Sequence, residues 1–80
     1  MRLPRDISGT ELIKKLEQQF GYIQSRQAGS HVRLSCTNPE HHITVPKHNA
    51  LRIGTLSSIL SDVANHHKLS RENVAERLFG

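Results

Sequence analysis

Apolar residues along this chain switch between two periods. Leu12, Ile13, Leu16 and Phe20 recur at the three- and four-residue spacing of a helix with one buried stripe, while Lys14, Lys15, Glu17 and Gln18 fall off it. Ser8-Gly9-Thr10-Glu11 stands in front of that stripe. A hydroxyl followed three residues later by a carboxylate is a capping box, which satisfies backbone amides that a helix start leaves bare. Gly21 sits where a helix commonly ends in left-handed backbone. A helix is predicted over Ser8–Phe20.

The period then drops to two. Val32, Leu34 and Cys36 alternate with His31, Arg33 and Ser35, and Ile43 and Val45 alternate with His42 and Thr44. Such alternation marks strands with one dry and one wet face. Three strands are predicted: Tyr22–Gln27 with Ile23 inward, Ser30–Cys36, and His41–Pro46, where the proline ends the strand or marks an edge. Ala28-Gly29 reads as the first turn, because a residue without Cβ takes positive φ at little cost. Thr37-Asn38-Pro39-Glu40 reads as the second by composition. These turns set a register. Gln27 faces Ser30, Arg26 faces His31 and Ile23 faces Leu34; Cys36 faces His41 and Leu34 faces Ile43. All apolar side chains then share one face, as a half-buried sheet requires. Arg26, His31, Arg33, His42 and Thr44 share the other.

Helical spacing returns after a polar connection over 47–54. Leu56, Ile59, Leu60 and Val63 form a second stripe that opens at Gly54-Thr55 and frays at Asn65-His66-His67. Ser70 caps a short last helix with Val74, Ala75 and Leu78 inward. The order is helix, three antiparallel strands, helix, then a short C-terminal helix. That order predicts an α+β two-layer sandwich whose helices cover one face of the sheet and leave the His31 face open. A chain of 80 residues is expected to form a single domain, 1–80, with a thin core.

Charge points this fold toward a partner. The formal net charge is +4 and the pI about 9.9, and small basic proteins commonly meet a polyanion, nucleic acid first. The same modest charge also serves solubility alone. An arm over Met1–Ile7 adds Arg2, Pro4 and Arg5. Cys36 is the only cysteine, so no intrachain disulfide forms; on the apolar side of a strand it is expected to be a buried, inert thiol in a reducing compartment. No apolar run has the length of a signal peptide or a membrane span, so a cytoplasmic protein without a membrane partner is expected.

Candidate chemistry gathers at Gln27-Ala28-Gly29-Ser30-His31-Val32-Arg33. A hydroxyl and an imidazole stand at the mouth of a strand, with a guanidinium two residues on. On residues alone, His31 is a catalytic base or a plain surface residue. Ser30 positions a phosphate or caps the strand end; it lacks an acid partner for a serine hydrolase. Arg26, Arg33, Lys47 and Arg52 bind phosphate or are solvated charges. His41-His42 and His66-His67 invite a metal reading, but neighbours on a strand point to opposite faces. There is no cysteine pair and no i, i+4 histidine pair on a helix, and no acidic cluster or glycine-rich phosphate loop. No metal and no cofactor are expected.

Four short motifs occur in order: Ser8-Gly9-x-Glu11-Leu12-Ile13, Gly29-Ser30-His31, Ile43-Thr44-Val45-Pro46, and Gly54-Thr55-Leu56 followed by Ser58-Ile59-Leu60. In this the chain resembles the HicA toxin family, small endoribonucleases of bacterial toxin–antitoxin pairs, from Ser8 to about Val63. The resemblance implies a fold like that of double-stranded-RNA-binding domains, with His31 as the catalytic residue. It also implies a cognate HicB-type antitoxin that covers the site. The family often has a basic residue where this chain has Ser57, and proline where it has Ile53.

The expected function is therefore that of a metal-independent endoribonuclease toxin cutting mRNA. The RNA 2′-hydroxyl is the nucleophile, and His31 is its general base. A free imidazole titrates near pH ~6.5 and is largely available as a base at neutrality. Gly29, Ser30, Arg26, Arg33, Lys47 and Arg52 hold the phosphate. The alternatives are a non-catalytic RNA-binding module and a small protein-interaction domain.

Overall fold

The computed structural model describes residues 3–37 and 40–80. Met1 and Arg2 of the arm, and Asn38 and Pro39 of the second loop, lie outside the described residues. The elements are α1 (Gly9–Phe20), β1 (Ile23–Ala28), β2 (His31–Cys36), β3 (His41–Pro46), α2 (Ile53–His67) and α3 (Arg71–Phe79). This is the α+β order expected. The capping box forms: the Ser8 hydroxyl accepts from the Glu11 amide at 3.0 Å, and the Glu11 carboxylate accepts from the Ser8 amide at 3.2 Å. Gly21 closes α1 in left-handed backbone, φ 74°. Ser70 caps α3 through the Asn73 amide.

The sheet is antiparallel in the order β1-β2-β3. Its second hairpin has the expected register, with Leu34 opposite Ile43 and Cys36 opposite His41. Val32, Leu34, Ile43 and Val45 are buried there against Leu12, Leu16, Leu56, Leu60 and Val63 from the two long helices. α1 and α2 both pack on β3, and α3 leans on them with Val74 and Leu78. The start of α1 comes so close to the end of β3 that a Cβ on Gly9 would overlap the Pro46 carbonyl oxygen. The Gly9 amide donates to the His48 carbonyl at 3.0 Å, and the Leu51 amide to that of Ile7 at 2.8 Å. These bonds tie the arm, the start of α1 and the connection before α2 together at one end of the molecule.

The first hairpin differs from expectation. Its loop is Gly29-Ser30, not Ala28-Gly29, and Ala28 pairs with His31. Gly29 has φ 59° and Ser30 has no positive φ, the sign pattern of a II′ turn with glycine first. Arg26 therefore faces Arg33, and Gln27 faces Val32. Ser25 is then a bulge, since the pairing resumes at Gln24 with Leu34. As a result Ile23 faces Ser35 rather than Leu34, and it is 64% exposed instead of inward. Tyr22, one residue before the strand, takes the core place at 2% exposure. Every residue of β1 is exposed, because the helices cover β2 and β3 and stop short of this edge. At α2, Arg52 occupies the cap position and the helix begins one residue earlier than expected. It does not fray at Asn65: it runs through His67 and ends at Lys68 in left-handed backbone.

Candidate functional site

His31 is the first residue of β2, exposed on the face that the helices do not cover. Its position is fixed by the turn before it and by the strand beside it. The Gln27 side-chain amide donates to the Gly29 carbonyl at 3.1 Å, across the turn. Pro46 pairs with His31, and the Lys47 amide donates to the Ser30 carbonyl at 2.6 Å. Folding thus brings Gly29, Ser30, His31 and the backbone of Lys47 together. Arg33 lies on the same face, roughly 7 Å further along the strand at the usual rise per residue. Arg26 stands directly across from Arg33, and not across from His31 as the expected register had it. Arg52 holds the cap position of α2, beyond the 47–51 connection.

Two guanidinium groups directly opposite one another on adjacent strands repel. Among the described residues no carboxylate pairs with Arg26, Arg33, Lys47 or Arg52. The face keeps an unneutralised positive charge beside an exposed imidazole, an arrangement that an anion relieves.

The far end of the same face holds a chain of hydrogen bonds that the sequence reading did not single out. Ser25 Oγ meets Ser35 Oγ at 2.7 Å, Ser35 Oγ meets His42 Nδ1 at 2.7 Å, and His42 Nε2 meets Glu40 Oε2 at 2.6 Å. An ionised Glu40 only accepts, so Nε2 carries the proton; in the neutral ring Nδ1 then accepts from the Ser35 hydroxyl. The signal was legible, since Glu40 and His42 share a face by alternation and the expected register already put Ser35 beside His42. Ser35 is four residues along β2 from His31, roughly 13 Å. His42, anchored to Glu40 at that end, does not reach a phosphate held by His31.

On the helix side of the sheet a second group of histidines collects. Cys36 Sγ lies 3.4 Å from His66 Nε2, and the Tyr22 hydroxyl lies 3.2 Å from His67 Nε2. The His41 and His66 rings stack, with centroids 4.2 Å apart and planes within 7°. His67 packs at a tilt on Phe20, 4.9 Å between centroids. Burial first, and the neighbouring imidazoles second, hold His41 and His67 below the usual histidine value. Burial pushes the Cys36 thiol and the Tyr22 phenol up. Cys36 is half-buried and partnered here, rather than fully buried and inert. The His66-His67 pair stood out in the sequence, but Cys36 lies thirty residues away and only the fold brings it to them.

A family model described as HicA toxin of bacterial toxin–antitoxin matches residues 9–64. Comparison with curated proteins and with solved structures finds no match. The matched span runs from the start of α1 to the last turn of α2 and includes the whole sheet. The chain belongs to the HicA toxin family.

Proposed function

We propose that this member of the HicA family is a metal-independent endoribonuclease that cleaves mRNA in the cytoplasm with His31 as general base. The observation that carries the reading is the exposed imidazole of His31, fixed at the Gly29-Ser30 turn on a face where Arg26 and Arg33 oppose each other with no carboxylate partner among the described residues. In the reaction His31 takes the proton of the RNA 2′-hydroxyl as that oxygen attacks the adjacent phosphorus and the 5′-oxygen leaves. Backbone groups of Gly29 and Ser30 sit against the phosphate. Arg33, Arg26 and Lys47 stabilise the charge that builds on the phosphorane, and Arg52 contacts the RNA further along. Lys47 is held beside the His31 turn by the bond of its backbone amide to the Ser30 carbonyl.

The family implies a cognate antitoxin. We propose that it covers His31 and presents acidic groups to Arg26, Arg33 and Lys47, since complementary charge sets both encounter rate and specificity. The direct test incubates the purified protein with RNA, with and without excess EDTA, at a temperature where the chain stays folded. Cleavage should persist in chelator. RNA that is bound but left intact in both arms would instead mark a non-catalytic RNA-binding module, and cleavage restored only by a divalent ion would overturn the general-base account.

A further inference from the structure

We propose that Cys36, His66 and His67 form a zinc site on the helix side of the sheet, separate from the His31 face. One donor atom from each lies within 4.8 Å of the other two. The donor set suits zinc: one thiolate and two imidazoles are the borderline-soft ligands that this ion takes, in tetrahedral geometry. The distances are close to what ligation needs. Zinc bonds of about 2.3 Å to sulfur and about 2.0–2.1 Å to nitrogen, at a tetrahedral angle, put the two donors roughly 3.6 Å apart. Cys36 Sγ and His66 Nε2 are already at 3.4 Å. The widest separation in the cluster has to close by about an ångström, within reach of a side-chain rotation by His67 in the last turn of α2.

A second observation bears on the same place. Among the described residues His41 Nε2 is buried with no hydrogen-bond partner, and its ring is the one stacked on His66. Buried polar atoms are rarely left bare. Three protein ligands leave zinc a fourth position for water, and that water is a partner of the kind His41 Nε2 lacks. Access exists too, since Cys36, His66 and His67 are all only half-buried. Binding replaces the thiol proton with the ion and releases it to solvent. The Tyr22 hydroxyl gives up its bond to His67 Nε2 in the same step.

Such a site ties the end of β2 to the end of α2. Cys36 is five residues along β2 from His31, roughly 16 Å, so the ion's effect falls on stability and not on the cleavage site. The test uses the tag-free, reduced, metal-free protein and Co(II) as an optical probe, displaced afterwards by Zn(II). The expected result is one equivalent bound, with a near-ultraviolet thiolate-to-cobalt band and the strong visible bands of a four-coordinate ion. Zinc should erase these bands and raise the melting temperature. Cys36→Ser should lose the near-ultraviolet band while keeping the circular dichroism of the parent. His66→Ala and His67→Ala should each weaken binding about tenfold or more, since even groups behind the ligands typically cost that much. His48→Ala, on the exposed connection, should leave binding unchanged. Absence of binding at micromolar metal, a Cys36→Ser protein that keeps the band, or equal losses in the His48 control would each overturn the site.

Discussion

His41 and His42 are neighbours in the chain and belong to different chemical regions. His42 points to the open face of the sheet, where Ser35 and Glu40 hold it in water. His41 points to the helix side, where it stacks on His66 with its Nε2 buried. The same contrast runs across the molecule. His31 stands on the open face near guanidinium groups that have no carboxylate partner among the described residues, the setting in which we propose proton transfer and anion binding. His66 and His67 stand in a half-buried corner with a thiol and a phenol, a setting for packing and for soft metal ions. The residue type is identical on both sides; dielectric and neighbours assign the role.

That division is tested most severely by removing one histidine from the open face. His31→Ala should lower RNA cleavage by about 10²–10⁴-fold, the usual contribution of a general base. Its stability should change by no more than about 0.5 kcal/mol, because an exposed side chain leaves no cavity. Cleavage rates and thermal melts on the same preparation decide the matter. A variant that cuts at the parent rate removes His31 from catalysis, and one that melts far lower makes it structural.

The opposite corner should respond in the opposite currency. Tyr22 is 2% exposed and is the largest side chain in the core. Tyr22→Ala should cost about 3–5 kcal/mol through the cavity it leaves, with turnover per folded molecule unchanged at low temperature. Denaturant melts give the first quantity and active-site-normalised cleavage the second. A loss of turnover without a loss of stability would join the two regions that the structure separates.

Arg33 sharpens the electrostatic half of the comparison. Arg33→Ala removes one phosphate-binding charge and also relieves its repulsion with Arg26. RNA affinity should fall across all sequences, and the slope of log affinity against log salt should drop by about 1. Some turnover should remain. A salt slope equal to that of the parent would show that Arg33 makes no phosphate contact.

Legibility in the sequence followed how much each feature depends on distant residues. The helices were readable because caps and stripes are local: Ser8, Glu11 and Gly21 act within a turn or two. The second hairpin was readable because alternation in β2 and β3 is dictated by the same core. In the first hairpin, β1 has no helix over it, so no buried face enforces a pattern on its residues. Its turn slid by one residue and a bulge entered at Ser25, neither of which the apolar pattern reports. His31 was visible as a candidate because the turn, the strand and the basic neighbour are contiguous. His66-His67 invited a metal reading that was set aside for want of further ligands, because Cys36 joins them only once β2 meets the end of α2.

The smallest expected effect bears on that slipped hairpin. Ile23 is the clear inward residue of the first strand if the turn is Ala28-Gly29, and a solvent-facing edge residue if the turn is Gly29-Ser30. The two positions predict different energies for Ile23→Thr, which keeps a β-branched shape and changes a methyl-bearing arm for a hydroxyl. A buried hydroxyl without a partner costs about 1–3 kcal/mol, before the lost packing is added. At 64% exposure the hydroxyl is hydrated and little packing is lost, so the change should stay within about 0.5 kcal/mol. Tyr22 supplies the core contact in either variant, so the fold itself is not at stake. Urea melts of parent and variant, compared at equal m-value, resolve a difference of this size. A cost above about 1 kcal/mol would return Ile23 to the core. The loop would then move back to Ala28-Gly29, and Arg26 would stand beside His31 rather than Arg33.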